Sequence, residues 1–260
     1  MSMTWKMRAS PMLNKVPEVT LIFWTIKILS TTVGETTADY LAVNVGLGAN
    51  LTMACMVGLL IAALVLQLRT RRYVPWIYWL TVVLVSIVGT QITDLMSDKL
   101  EISLYVSTAG FAGALAATFA IWYFIERTLS IRTIVSTRRE LFYWAAILFT
   151  FALGTAAGDL ATEVLALGFQ LGVIVFGVLI AFVAVFYTLG VNPVLTFWLV
   201  YILTRPLGAS LGDLLSQSRH YGGVGLGATH TSLAFMAVIV ALVAWVTFER
   251  ERGENADPAQ

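Results

Sequence analysis

Four aspartates, Asp39, Asp94, Asp159 and Asp213, stand inside apolar stretches of the sequence, each five residues after a glycine and fifteen after a tryptophan. The pattern Trp-x9-Gly-x4-Asp runs through Trp24, Gly34 and Asp39, then Trp79, Gly89 and Asp94, then Trp144, Gly154 and Asp159, and last Trp198, Gly208 and Asp213. An isolated carboxylate within a bilayer costs about 2.5–3.5 kcal/mol on insertion scales, so four at one repeated position call for a shared partner. Carboxylates that met near an axis would repel one another, hold some protons, and bind a cation with release of others. Oxygen ligation suits hard divalent ions such as Mg, Ca or Mn, and the lack of paired Cys or His nearby speaks against a thiolate or imidazole site. The four Asp are therefore the candidate metal ligands. On the competing reading, each Asp bonds a neighbouring backbone or hydroxyl group and fixes the packing of its repeat.

Other charged residues break the symmetry. Glu35 precedes Asp39 by four residues and Glu163 follows Asp159 by four, so each shares a helix face with its Asp and adds oxygens to a cation site. The positions matching Glu35 hold Thr90, Thr155 and Ala209, and those matching Glu163 hold Val43, Asp98 and Gln217, which favours one asymmetric site over four equal ones. A solvated helix end is the alternative for Glu163. Lys27 and Arg205 are the only basic residues within apolar runs. They lie 12 and 8 residues before their own Asp, about 18 and 12 Å along a helix, too far to touch it. Each can pair with an acid on another helix as an internal counter-ion that substrate displaces, or else snorkel or form a static ion pair.

Such residues need helices to place them. Hydrophobic residues make up 58% of the 260 residues and charged ones 12%, and mean hydropathy is +0.83, which puts the chain in the membrane class. Apolar runs fall at about 19–45, 50–68, 75–97, 102–125, 141–164, 170–189, 193–216 and 228–248, each long enough to span a bilayer. The expectation is an all-α integral membrane protein of eight transmembrane helices, with the first run retained rather than removed as a signal. Pro75 and Pro193 stand where the third and seventh helices should begin. Gly34, Gly89, Gly154 and Gly208, each with a small residue four positions on (Ala38, Thr93, Gly158, Gly212), form small-xxx-small pairs that let helices approach closely. The four Trp are expected at an interfacial belt.

Of the 16 Lys and Arg, 12 lie in the N-terminal tail, the 68–74 and 126–140 loops and the C-terminus, all on one side, so both termini are expected in the cytoplasm. Acidic residues gather toward the other side, where they would concentrate cations. Every odd helix then runs the same way, and the repeat unit is a two-helix hairpin used four times in parallel, pseudo-symmetric about an axis along the membrane normal. Spacings of 120 and 119 residues between alternate Asp suggest a duplicated four-helix half. The expected division is a tail 1–18, a first half 19–125, a linker 126–140, a second half 141–248 and a tail 249–260. Helices one, three, five and seven should surround the axis, with the even helices outside.

Gly-x4-Asp repeats within eight apolar helices resemble a family of bacterial inner-membrane proteins described only as uncharacterised and membrane-anchored, over nearly the whole chain; that resemblance implies a location and no activity. Gly158-Asp159 and Gly212-Asp213 are also similar to the centre of the Glu-x-Gly-Asp-Lys/Arg-Ser/Thr signature of manganese/calcium–proton exchangers, although the Glu is missing and Leu160 and Leu214 stand where the basic residue would be. The residues themselves suggest a secondary transporter that exports divalent cations in exchange for protons, with no resident cofactor and no enzyme activity. Its partners would be the bilayer, the cation substrate and protons, with a homodimer left open. Polyamine transport, a passive cation channel and a scaffold with structural Asp are the alternatives. No nucleophile–base pair, zinc signature, ATP-binding motif or nucleic-acid footprint is present.

Overall fold

The computed structural model describes residues 14–43 and 49–256, and among them the chain is all helical, with eight long helices. These are α1 (Leu21–Val43), α2 (Ala49–Arg69), α3 (Pro75–Asp94), α4 (Leu104–Glu126), α5 (Thr137–Asp159), α6 (Gly168–Thr188), α7 (Pro193–Ser216) and α8 (Ala228–Ala256). Seven of them are long and apolar enough to cross a membrane. The eighth, α1, carries Lys27, Glu35 and Asp39 with a run of threonines, and α3, α7 and α8 enclose it.

Local chemistry starts the inner helices, and α5 begins at Thr137, four residues before its apolar run and inside the expected 126–140 linker. Pro75 and Pro193 occupy first-turn positions that need no N–H. The Asn192 side chain accepts hydrogen bonds from the Val194 and Leu195 N–H groups, and Ser136 accepts from Arg139, each serving as an N-cap. After Asp94 and after Asp159 the backbone widens into a π-turn, Leu95–Lys99 and Leu160–Val164. Each widened turn runs on to a residue in the left-handed region, Glu101 (φ 53°) and Ala166 (φ 56°), at the same place in its repeat.

The odd helices form the inner ring in the order α1, α3, α5, α7, with α7 returning to α1. Each even helix packs mainly on the odd helix that follows it: α2 on α3, α4 on α5, α6 on α7, and α8 back on α1. The two halves therefore interlock, since α4 of the first lies on α5 of the second and α8 of the second on α1 of the first. Large apolar side chains on the outer helices, such as Phe124, Val178, Phe182 and Leu233, remain exposed, as expected of surfaces that meet lipid.

Repeated side-chain contacts show that the ring is cyclic and its four helices parallel. Phe23 packs on Trp79, Tyr78 on Trp144, Tyr143 on Trp198 and Phe197 on Trp24, with ring centroids 5.5, 5.5, 6.2 and 5.6 Å apart. In each pair the residue just before one Trp of the repeat meets the Trp of the next helix round the ring. Here the sequence expectation is corrected: Trp79, Trp144 and Trp198 are buried in this aromatic layer and do not form a lipid-facing belt. The physical reason is that the repeat places each Trp on the face its helix turns to the next, where a large ring fills the gap between two helices.

Away from the aromatic layer, Lys15 ties the segment before α1 to the end of α2 and the start of α5. Its Nζ donates to Glu140 Oε2 at 2.6 Å and to the Leu68 carbonyl at 3.1 Å, while Gln67 donates to Glu140 Oε1 at 3.0 Å.

Candidate functional site

The glycines set the spacing of the inner helices. A Cβ added to Gly34 would lie 2.5 Å from Ser86 Cβ; one on Gly89 would lie 2.8 Å from Phe151 Cβ; one on Gly208 would lie 2.6 Å from Thr31 Cβ. A Cβ on Gly154 would collide with the Arg205 side chain. Each glycine thus faces the residue three places before the glycine of the next helix, and the series Gly34–Ser86, Gly89–Phe151, Gly154–Arg205, Gly208–Thr31 closes on itself. Hydroxyls lock the same seams: Thr93 donates to the Ala152 carbonyl at 3.2 Å and Thr32 to the Gly208 carbonyl at 3.1 Å.

Because the backbones approach so closely, the next position after each glycine points to a shared centre. Those positions are Glu35, Thr90, Thr155 and Ala209. Three of them surround one guanidinium nitrogen from the fourth helix. Arg205 Nη2 donates to Glu35 Oε2 at 2.7 Å and to Thr155 Oγ1 at 2.6 Å, and it also contacts Thr90 Oγ1. Nη1 reaches the Thr31 carbonyl at 3.4 Å. Arg205, Thr90 and Thr155 are completely buried and Glu35 nearly so. The ion pair expected between a basic residue and an acid on another helix is therefore formed by Arg205 and Glu35.

Lys27 lies one level nearer the aromatic layer. Its Nζ is 4.0 Å from the Phe151 ring centroid and 4.3 Å from that of Tyr201, and it donates to Thr31 Oγ1 at 3.3 Å. No carboxylate among the described residues pairs with it. The two rings offer their negative faces to the ammonium, a favourable but partial replacement for water. Lys27 and Arg205 against Glu35 leave one positive charge in excess at the centre of the bundle when all three are ionised.

Three of the four aspartates have described side chains, Asp94, Asp159 and Asp213. Asp94 lines a cavity of about 100 Å³ together with Ala38, Thr52, Gln91, Asp98 and Lys99, which places it toward α1 and α2. Asp159 and Asp213 are half-buried near the ends of their helices. Among the described residues, which leave out the Asp39 and Glu163 side chains, no three carboxylate, imidazole or thiol groups come together as metal ligands. Four residues beyond the axial position is about 40° further round a helix and 6 Å further along, which accounts for Asp94 facing the side cavity. The side chains of Asp39 and Glu163 lie outside the described residues.

Thr31, Ser86, Phe151 and Tyr201 take part in this centre and were not singled out from the sequence. Aligning the four repeats on their glycines marks them: the positions three residues before are Thr31, Ser86, Phe151 and Arg205, and those seven before are Lys27, Val82, Ile147 and Tyr201. Polar residues recurring there within apolar helices were the available signal.

Comparison with known families identifies the same repeat. Segments 22–73, 77–128, 142–189 and 196–251 match the family described as Repeat of Unknown Function (DUF347). The chain belongs to this repeat family. Each match covers the whole or most of one two-helix hairpin, α1 with α2, α3 with α4, α5 with α6 and α7 with α8, so the sequence repeat is the hairpin although each even helix packs mainly on the odd helix of the next one. No curated protein and no solved structure matches the chain.

Proposed function

We propose that this member of the repeat family is a multi-pass protein of a bacterial inner membrane, with both termini cytoplasmic, and that it is a secondary active transporter exporting divalent cations of the Mn, Mg or Ca type in exchange for protons. The observation that carries this reading is the buried charged group of Lys27, Glu35 and Arg205 at the centre of the inner ring. Replacing a buried ion pair with packed apolar residues is often neutral or stabilising, so a chain that only had to hold helices together would gain nothing from these charges. Ionisable groups within a membrane protein interior mark ion and proton pathways.

In this reading Arg205 is the internal counter-ion of Glu35, and a proton or cation arriving at the carboxylate frees it. The half-buried Asp94, Asp159 and Asp213, with Asp39, serve as the cation's stations beyond the axial site. A carrier is favoured over an open channel because eight aromatic residues fill one end of the ring in this conformation.

The test is flux in liposomes. Purified protein should move Mn²⁺ against an imposed proton gradient. Asp39→Asn and Asp159→Asn keep the side-chain shape and remove charge, so each should fold and lose flux. Full flux in both variants would sink the transporter site proposed here.

A further inference from the structure

We propose that Glu35, Thr90 and Thr155 form a binding site for an alkali cation, which the Arg205 guanidinium fills in this conformation. This goes beyond the transporter reading by adding an alkali cation to the proton and the divalent substrate, and rests on that reading only for the ion's use in transport; binding itself is tested without flux.

Three oxygens converge on a single nitrogen, Arg205 Nη2, from three different helices. A guanidinium Nη carries two hydrogens, so it cannot donate fully to three acceptors at once. Meanwhile Nε of the same group, completely buried, has no hydrogen-bond partner. The cage thus offers one acceptor too many at one point and none at another, a poor fit to a planar fork of donors and a good fit to a point charge.

Hydroxyl orientation agrees with that. Thr155 Oγ1 has the Phe151 carbonyl of its own helix within 3.1 Å, and Thr90 Oγ1 has the Ser86 carbonyl within 3.2 Å. Glu35 Oε2 is an equally close acceptor for Thr90, also at 3.2 Å; with the Thr90 hydrogen on either oxygen and the Thr155 hydrogen on Phe151, both hydroxyls keep lone pairs for the centre. One carboxylate and two neutral oxygens balance a single positive charge. A divalent ion would add to an excess already set by Lys27, and the two oxygen distances of 2.6 and 2.7 Å to the centre exceed the roughly 2.0–2.1 Å of Mg²⁺. The distances thus speak against Mg²⁺, and the charge balance favours a monovalent ion such as sodium or potassium over a divalent one.

Arg205 is a tethered occupant, and its tether is weakened. Pro206 has no N–H to give the carbonyl four residues earlier, at Ile202, so α7 lacks a hydrogen bond at the turn carrying Arg205.

The experiment removes the tethered cation and asks whether a free one takes its place. Thermal midpoints of detergent-purified wild type, Arg205→Ala and Arg205→Ala with Glu35→Gln are measured in sodium, potassium and choline chloride at equal ionic strength. Arg205→Ala should be stabilised by sodium or potassium over choline in a saturable way, by about 5 °C or more at concentrations well above Kd. Folding of this variant only in an alkali salt would be the same result in stronger form. The double variant, whose cage is neutral, should fold and be indifferent to the cation. Adding Thr155→Val to Arg205→Ala should weaken the cation response. An Arg205→Ala protein that responds equally to all three salts, or that folds in none while the double variant folds, overturns the site. Loss of Mn²⁺ flux activity as a whole, with the cation response intact, would count against the transporter and leave this site standing.

Discussion

Gly208 of α7 lies against Thr31 of α1, and this contact closes the ring, because it repeats between the last and first helices the approach that Gly34 makes to Ser86 and Gly89 to Phe151. A Cβ on Gly208 would stand 2.6 Å from Thr31 Cβ and 3.2 Å from the Ile28 carbonyl, which is backbone and cannot turn aside. Gly208→Ala should therefore destabilise the protein by about 1–3 kcal/mol, the usual range for overpacking. Gly177→Ala, on an outer helix with nothing within 4 Å of the added atom, is the control and should leave the thermal midpoint unchanged or slightly raised. Equal midpoints for the two variants would remove the glycine seam as the determinant of helix spacing.

Much of this arrangement can be read along the chain, because spacing survives folding. A glycine ten residues after each Trp fixes which helix faces meet, and the four hairpins follow from where the Trp, Gly and Asp recur. The destination of each charged side chain was harder to read. Asp94 stands four residues beyond an axial position, and a rotation of about 40° per such step was enough to send it to a side cavity. The partner of Glu35 was legible only as a class: an acid and a base in apolar helices should meet, but Arg205 and Lys27 were equal candidates until the backbone placed Gly154 against Arg205. The Trp residues misled because an indole suits a membrane interface and a helix seam equally well.

A hydroxyl pair within the aromatic layer allows a sharper test of packing. Tyr78 and Tyr143 Oη are 2.5 Å apart, both side chains fully buried, one from α3 and one from α5. Tyr78→Phe removes one hydroxyl and leaves the other without its partner, which should cost about 1–3 kcal/mol. Tyr78→Phe with Tyr143→Phe removes both and should recover most of that loss, since two apolar groups of the same shape replace the pair. A double-mutant cycle on chemical or thermal unfolding reads the difference. Additive losses would mean that the hydroxyls act separately.

Orientation rests on Lys and Arg in short loops, four of them at Arg127, Arg132, Arg138 and Arg139. Reporter fusions after residue 133 and at the C-terminus should both report cytoplasm. A periplasmic signal from either would turn the acidic ends of the odd helices toward the cytoplasm and reverse the direction assigned to transport.

Lys27 separates work from architecture most directly. Its ammonium lies between the Phe151 and Tyr201 rings with one hydroxyl, Thr31 Oγ1, as hydrogen-bond partner and no carboxylate beside it among the described residues. A charge so placed gives up its hydration for little in return, and two aromatic faces recover only about 0.5–2 kcal/mol each. Methionine has nearly the same length and no charge. Lys27→Met should therefore raise the thermal midpoint, by an amount equivalent to about 1 kcal/mol or more on the scale seen when buried charges are replaced by apolar residues. If Lys27 takes part in moving protons or cations past Arg205 and Glu35, the same variant should lose Mn²⁺ flux while being the more stable protein. Greater stability with undiminished flux would assign Lys27 no part in transport, and a fall in stability would show that its contacts with Thr31 and the two rings outweigh the desolvation of its charge.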